Sequence, residues 1–197
     1  MRKKSHLALS NFLIKTSSDS FISKYKMAYR FGNILPDLRI SFIYKRHEFK
    51  GTIDDLEQFA KDLVFNNKIS DRKRAMMLGE VNHYVADYFT LPHNDFFEGN
   101  MKEHCEYEET LKQMLRRYLK TEHAYNILPE IIRAQNVEEV FDEIKKMHEL
   151  YAKQEAGIYC DIEFIVVVNY LVAKKMLILA QRAQVENKLY STGSLLY

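Results

Sequence analysis

Apolar positions along the chain recur at three- and four-residue spacing, the period of helices that bury one face. Ser5 caps a predicted helix over 5–15, in which His6, Leu9 and Leu13 share a face. A second helix over 20–31 stops at Gly32-Asn33. Ile34-Leu35-Pro36-Asp37 reads as a turn or extended segment, because proline disfavours helix in the residue before it. Residues 38–51 read as a loop anchored by Phe42, Tyr44 and Phe49 and containing His47; loops of this length in compact helical domains are usually functional. Further helices are predicted over 52–66, 71–89, 101–121, 124–134, 137–153 and 157–187, with a loop at 91–99. The tail 190–197, with its Ser-Thr-Gly-Ser run, is expected to fray. No internal repeat or linker interrupts the pattern, which predicts an all-α, single-domain helical bundle over 1–189.

Composition sharpens this expectation. Only 6 glycines and 3 prolines occur in 197 residues, too few breakers for a many-turned β-fold. The 29 basic and 27 acidic residues nearly balance, which argues against a stable nucleic-acid partner. Cys105 and Cys160 have no spacing that suggests a disulfide framework or a thiolate zinc site, and they read as reduced thiols of a cytoplasmic protein. The basic start Met1 to Lys4 precedes apolar positions broken by His6, Ser10 and Asn11, unlike a signal peptide. The most apolar run, 162–180, contains Glu163, Asn169, Lys174 and Lys175, so it is expected to be a core helix and no transmembrane segment.

The chemistry-bearing residues lie mostly in the first 108 positions. His83 with Asp87, and His104 with Glu108, are four apart, so on a helix each pair stands on one face and can grip an ion from one side. Seven histidines and 27 acids would produce about one such pair by chance, so location carries the argument. His83 and Asp87 follow Met76 and Gly79 beside the apolar face of their helix, and Gly79 leaves room one turn before His83. His104 and Glu108 begin a stripe that continues as Leu111, Leu115 and Tyr118. A carboxylate on a core face is costly unless it is paired or binds metal. His6 breaks its own apolar stripe in the same way; His93 lies between the two paired helices, and Asp37 and His47 lie in the irregular segment. Imidazole with carboxylate and no thiolate suits catalytic zinc or another borderline divalent ion. Asn82, Asn94 and Tyr107 are candidate supports for these ligands, whereas His123 and His148, in polar surroundings, are expected at the surface.

The ordered set His6, Ile34-Leu35-Pro36-Asp37, His47, His83-x-x-x-Asp87, His93 and His104-x-x-x-Glu108 resembles the zinc-dependent phospholipase C family, itself related to single-strand-specific zinc nucleases. The resemblance spans about residues 5–108. It implies an all-α fold, two or three zinc ions, and a phospholipid or other phosphate ester as substrate. It assigns Asp37, His47, His83 and Asp87 to one zinc, and His93, His104 and Glu108 to a second. His6, with Asp87 bridging, would help hold a third. Asp37 would also orient or deprotonate the attacking water. The family's third site uses the amino group of an N-terminal tryptophan, whereas this chain has no tryptophan and begins with Met1. Choline-specific members carry an acidic residue near the N-terminus; Arg2, Lys3 and Lys4 here suggest a substrate with additional negative charge. The main alternative is a helical protein that binds metal without turnover. A ferritin-like di-metal bundle fits less well: Glu80 precedes His83 at the required spacing, but Met101 occupies the matching place before His104.

Overall fold

A computed structural model describes residues 1–17, 20–39, 48–130, 132–155 and 157–191. Among these there are nine α-helices and no strand: α1 (Lys3–Thr16), α2 (Ser20–Lys24), α3 (Lys26–Gly32), α4 (Phe49–Phe65), α5 (Asp71–Tyr88), α6 (Met101–Tyr118), α7 (Glu122–Asn126), α8 (Val137–Ala152) and α9 (Ile158–Ser191). Short 3-10 turns occupy Pro36–Leu38 and Leu91–His93. The all-helical expectation holds. No described helix is long and apolar enough to cross a membrane.

Local chemistry sets several helix starts. Ser70 accepts from the Lys73 amide at the head of α5, and Asn136 accepts from the Glu139 amide at the head of α8. Asn100 and Glu103 form a reciprocal capping box that starts α6. Where prediction and structure differ, packing explains most of the difference. α4 begins at Phe49 because that ring stacks on His148, with centroids 3.7 Å apart, and meets Tyr88 edge-on. The Thr52 hydroxyl bonds the Glu48 carbonyl and lies 2.8 Å from the Tyr88 hydroxyl. α7 stops at Asn126, well short of 134, since Pro129 has no amide to donate and disfavours helix at Leu128. The predicted 20–31 helix is bent at Tyr25 into α2 and α3. α9 takes in Tyr190 and Ser191, and 192–197 lie outside the described residues.

α5 is the axis of the molecule. It is buried along most of its length and packs on α3, α4 and α9. Its contact with α3 depends on two glycines. A methyl group on Gly32 would overlap the Met76 carbonyl, and one on Gly79 would overlap the Tyr29 carbonyl. Because both positions lack a side chain, the two backbones approach closely enough for the Asn33 carbonyl to reach the His83 ring. A buried polar chain ties the bundle together: Asn82 accepts from the Tyr29 hydroxyl at 3.0 Å and donates to Asn169 on α9. The buried Arg74 guanidinium donates to the carbonyls of Leu63, Val64 and Asn66, closing the C-terminal end of α4.

Candidate metal centre

Two groups of possible metal ligands meet at the C-terminal half of α5. His6 from α1 and His83 and Asp87 from α5 form one; His93 from the 3-10 turn and His104 and Glu108 from α6 form the other. Within each group one donor atom per residue lies within 4.8 Å of the others. In the first, His6 Nε2 is 3.3 Å from Asp87 Oδ1 and His83 Nε2 is 3.3 Å from Asp87 Oδ2. The two imidazoles stack with centroids 3.9 Å apart. In the second, His93 Nε2 and His104 Nε2 lie 3.1 and 3.3 Å from Glu108 Oε1. Asp87 also faces the second group, with Oδ2 3.9 Å from His93 Nδ1.

Between the groups sits the Met1 amino group. It is 2.5 Å from Asp87 Oδ1, 2.9 Å from His93 Nε2 and 3.2 Å from Glu108 Oε1. Arg2 secures this segment to α6, pairing with Glu109 at 2.5 Å and donating to the Cys105 carbonyl. Thus Arg2, which the sequence offered to an anionic substrate, is engaged by the protein itself.

The electrostatics favour ionised Asp87 and Glu108 and lower the proton affinity of His6 and His93. Burial opposes ionisation of Asp87, but the Met1 ammonium, His93, His83 and His6 outweigh it and hold the carboxyl well below its usual range. Burial likewise opposes ionisation of Glu108, and the Met1 ammonium with His104 and His93 overcomes it. Burial also disfavours the Met1 ammonium, but Asp87 and Glu108 raise its pKa above the ordinary value. Burial, reinforced by His83, pushes His6 down to about 3. Both His6 ring nitrogens are buried and have no hydrogen-bond partner among the described residues, Nε2 lying 3.3 Å from Asp87 as an ion-pair contact only. Neutral imidazole nitrogens converging with carboxylates form a donor set that fits zinc.

A family model described as zinc-dependent phospholipase C matches residues 5–158. The chain belongs to the zinc-dependent phospholipase C family. The match covers α1 to α8 and thus every helix that supplies a candidate ligand. Comparison with curated proteins and with solved structures found no match.

Against that family pattern, six of the eight residues expected from the sequence fall into the two groups. A seventh, Asp37, stands at the rim in the 36–38 turn, its Oδ1 3.7 Å from His83 Nε2. The eighth, His47, lies outside the described residues. The structure also places supports that the sequence reading missed. His83 Nδ1 is 2.9 Å from the Asn33 carbonyl, a contact that orients the ring so that Nε2 faces Asp87. Asp161, fully buried at the head of α9, accepts from the Leu91 amide and from the Tyr107 and Tyr151 hydroxyls. This fixes the start of the turn that carries His93. Burial pushes the Asp161 carboxyl up to about 6 despite those donors. A carboxylate one residue before the apolar run 162–180 was the available sequence signal.

His148 is a correction to the surface expectation: it is buried, stacked on Phe49, with Nε2 2.7 Å from Asn94 Oδ1. Asn94 in turn donates to the carbonyls of Tyr88 and Thr90, tying down the other side of the same turn. Tyr107 and Asn94 therefore brace the His93 turn, while Asn82 braces α5 against α9. His123 is exposed as expected and pairs with Glu163.

Proposed function

We propose that this chain is a zinc-dependent hydrolase of phosphodiesters, with a phospholipid or related phosphate ester as substrate. The observation that carries the reading is the convergence of two histidine–carboxylate groups on one centre, with buried neutral nitrogens on His6 that have no hydrogen-bond partner among the described residues. His6, His83 and Asp87 would hold one zinc; His93, His104 and Glu108 would hold a second. The Met1 amino group would be a further donor between them once it gives up its proton, and Asp37 and His47 complete the set that the family pattern assigns. When bound, zinc neutralises phosphate charge and acidifies water at neutral pH.

The chain's own residues then have distinct tasks. Asp37, at the rim beside His83, orients the attacking water and accepts its proton. Neutral His6 donates a lone pair, and its low proton affinity keeps it in that form through the physiological range. Asn33 holds His83 in the tautomer and angle its role requires. Asp161 and Asn94 keep His93 facing Glu108.

The test is Asp37→Asn in the full chain. Zinc content by mass spectrometry is expected to stay unchanged, while turnover of a water-soluble phosphodiester falls by about 10²–10⁴-fold. Wild-type protein that binds zinc yet hydrolyses neither a soluble phosphodiester nor phospholipid would refute the enzymatic reading in favour of metal binding alone.

A further inference from the structure

The near-balance of charge hides an uneven distribution. Residues 1–39 carry eight Lys and Arg against two Asp. Residues 95–109, around the second ligand group, carry six acids and only Lys102. Exposed apolar side chains occur in both regions: Met27 and Phe31 in the first, Phe96 and Met101 in the second. In the first they stand among several cations; in the second, acids outnumber cations.

There they shape a groove. Met27, Ala28 and Phe31 of α3 and Met76 of α5 line an open cleft of about 480 Å³, with Arg72, Lys73 and Ser70 at its edge. Met27 is 69% exposed and Phe31 45%, large values for apolar side chains, and the Met27 Sδ accepts from the Arg30 guanidinium at 3.6 Å. Lys24 and Lys26 on the same α2–α3 segment are also exposed, as are Arg72 and Lys73. Asp71, beside them in sequence, accepts from the Tyr25 hydroxyl at 3.3 Å. An apolar floor under a cationic rim matches an amphiphile whose headgroup is negative.

The groove shares α5 with the metal centre. Met76 precedes His83 by seven residues on one helix, about 10 Å along its axis. We infer that the α3–α5 groove is the surface by which this protein docks on an anionic phospholipid bilayer. Met27 and Phe31 enter the interface, and Arg72, Lys73 and Lys26 face the headgroup phosphates. The inference deepens the phospholipid reading above by naming the charge of the surface and the face that meets it.

Co-sedimentation of the full chain with vesicles tests it without turnover. Binding is expected to equimolar phosphatidylglycerol–phosphatidylcholine vesicles, to weaken with salt, and to be far weaker on phosphatidylcholine alone. Arg72→Gln with Lys73→Gln should lower the partition coefficient by about 25-fold, roughly five-fold per cation. Met27→Ser with Phe31→Ser should lower it at least ten-fold, while zinc content, helicity and hydrolysis of a soluble phosphodiester stay at wild-type levels. Phe96→Ser with Met101→Ser should leave binding unchanged.

No binding to the anionic vesicles, or wild-type binding by both groove variants, overturns the inference. So does loss of binding in the Phe96/Met101 variant alone. If an acidic peptide such as polyglutamate binds through Arg72 and Lys73 while vesicle binding ignores Met27 and Phe31, the groove is a peptide site and the inference fails. Wild-type vesicle binding with no hydrolysis of any phosphodiester sinks the enzymatic reading and leaves the docking surface standing.

Discussion

The two ligand groups use the same residue types in opposite surroundings. In the first, the side chains of His6, His83 and Asp87 are 0%, 0% and 1% exposed; in the second, those of His93, His104 and Glu108 are 11%, 26% and 14% exposed. The first group is built from the crossing of α1, α3 and α5, and any charge in it must be matched inside the protein. The second is built on a turn and the first two turns of α6, and water can share its charge. The difference teaches that the first group belongs to the folding core and the second to the solvent-accessible side of the centre. Asp87 and the Met1 amino group join them.

Removing one carboxylate from each group gives the sharpest contrast. Asp87→Asn takes from the buried Met1 ammonium the nearer of its two carboxylates, leaving only Glu108 at 3.2 Å, and takes from His6 and His83 the carboxylate they face. The metal-free chain is expected to lose about 3–5 kcal/mol in urea unfolding, together with zinc. Glu108→Gln should cost only about 1 kcal/mol while also lowering zinc content. Equal destabilisation by the two variants would erase the distinction between core and surface.

A second experiment separates the groups through their supports. Asp161→Asn cannot accept from the Leu91 amide and both tyrosine hydroxyls at once, so the His93 turn loosens. Zinc affinity at the His93–His104–Glu108 group is expected to fall about 10–100-fold, while the His6–His83–Asp87 group keeps its ion. Cobalt substitution, read as loss of one of two absorption components, distinguishes the two; equal loss at both would show Asp161 to be a general core residue.

The smallest effect is one of pH. Burial pushes His148 down to about 4, against about 6.5 in the unfolded chain. Between those values the unfolded chain takes up a proton that the folded protein refuses, so stability falls as pH drops from about 6.5 towards 4. His6, down at about 3, acts in the same direction. Asp161, raised to about 6 from about 3.9, opposes both between pH 4 and 6 by binding a proton in the folded state. His148→Gln should therefore flatten the fall in metal-free stability between pH 7 and pH 5, measured by urea unfolding. An unchanged slope would mean that His148 is not held neutral beneath the His93 turn.

Some of this architecture was readable residue by residue. The spacing of His83 with Asp87, and of His104 with Glu108, puts each pair on one helical face wherever the helix goes. Their position beside apolar stripes marked them as more than solvated charges. The surface expectation for His148 weighed the flanking Lys145, Lys146 and Glu149 and overlooked its helical face, where Phe141, Ile144 and Tyr151 stand at core spacing; only its partners Phe49 and Asn94 come from segments far away along the chain. Asp161 went unnoticed because its three donors are contributed by the 91–93 turn, α6 and α8.

What the sequence determined by itself was the helical period, the caps, and which residue types share a face, since these depend on backbone geometry over a few residues. The tertiary structure decided which faces meet. Glycines at 32 and 79 let α3 close on α5, and the Asn33 carbonyl could then take the His83 ring. α1 delivers His6 and the Met1 amino group to Asp87, 81 and 86 residues away in the chain. Local spacing carries no information about such crossings, because they are settled by how whole side-chain surfaces pack.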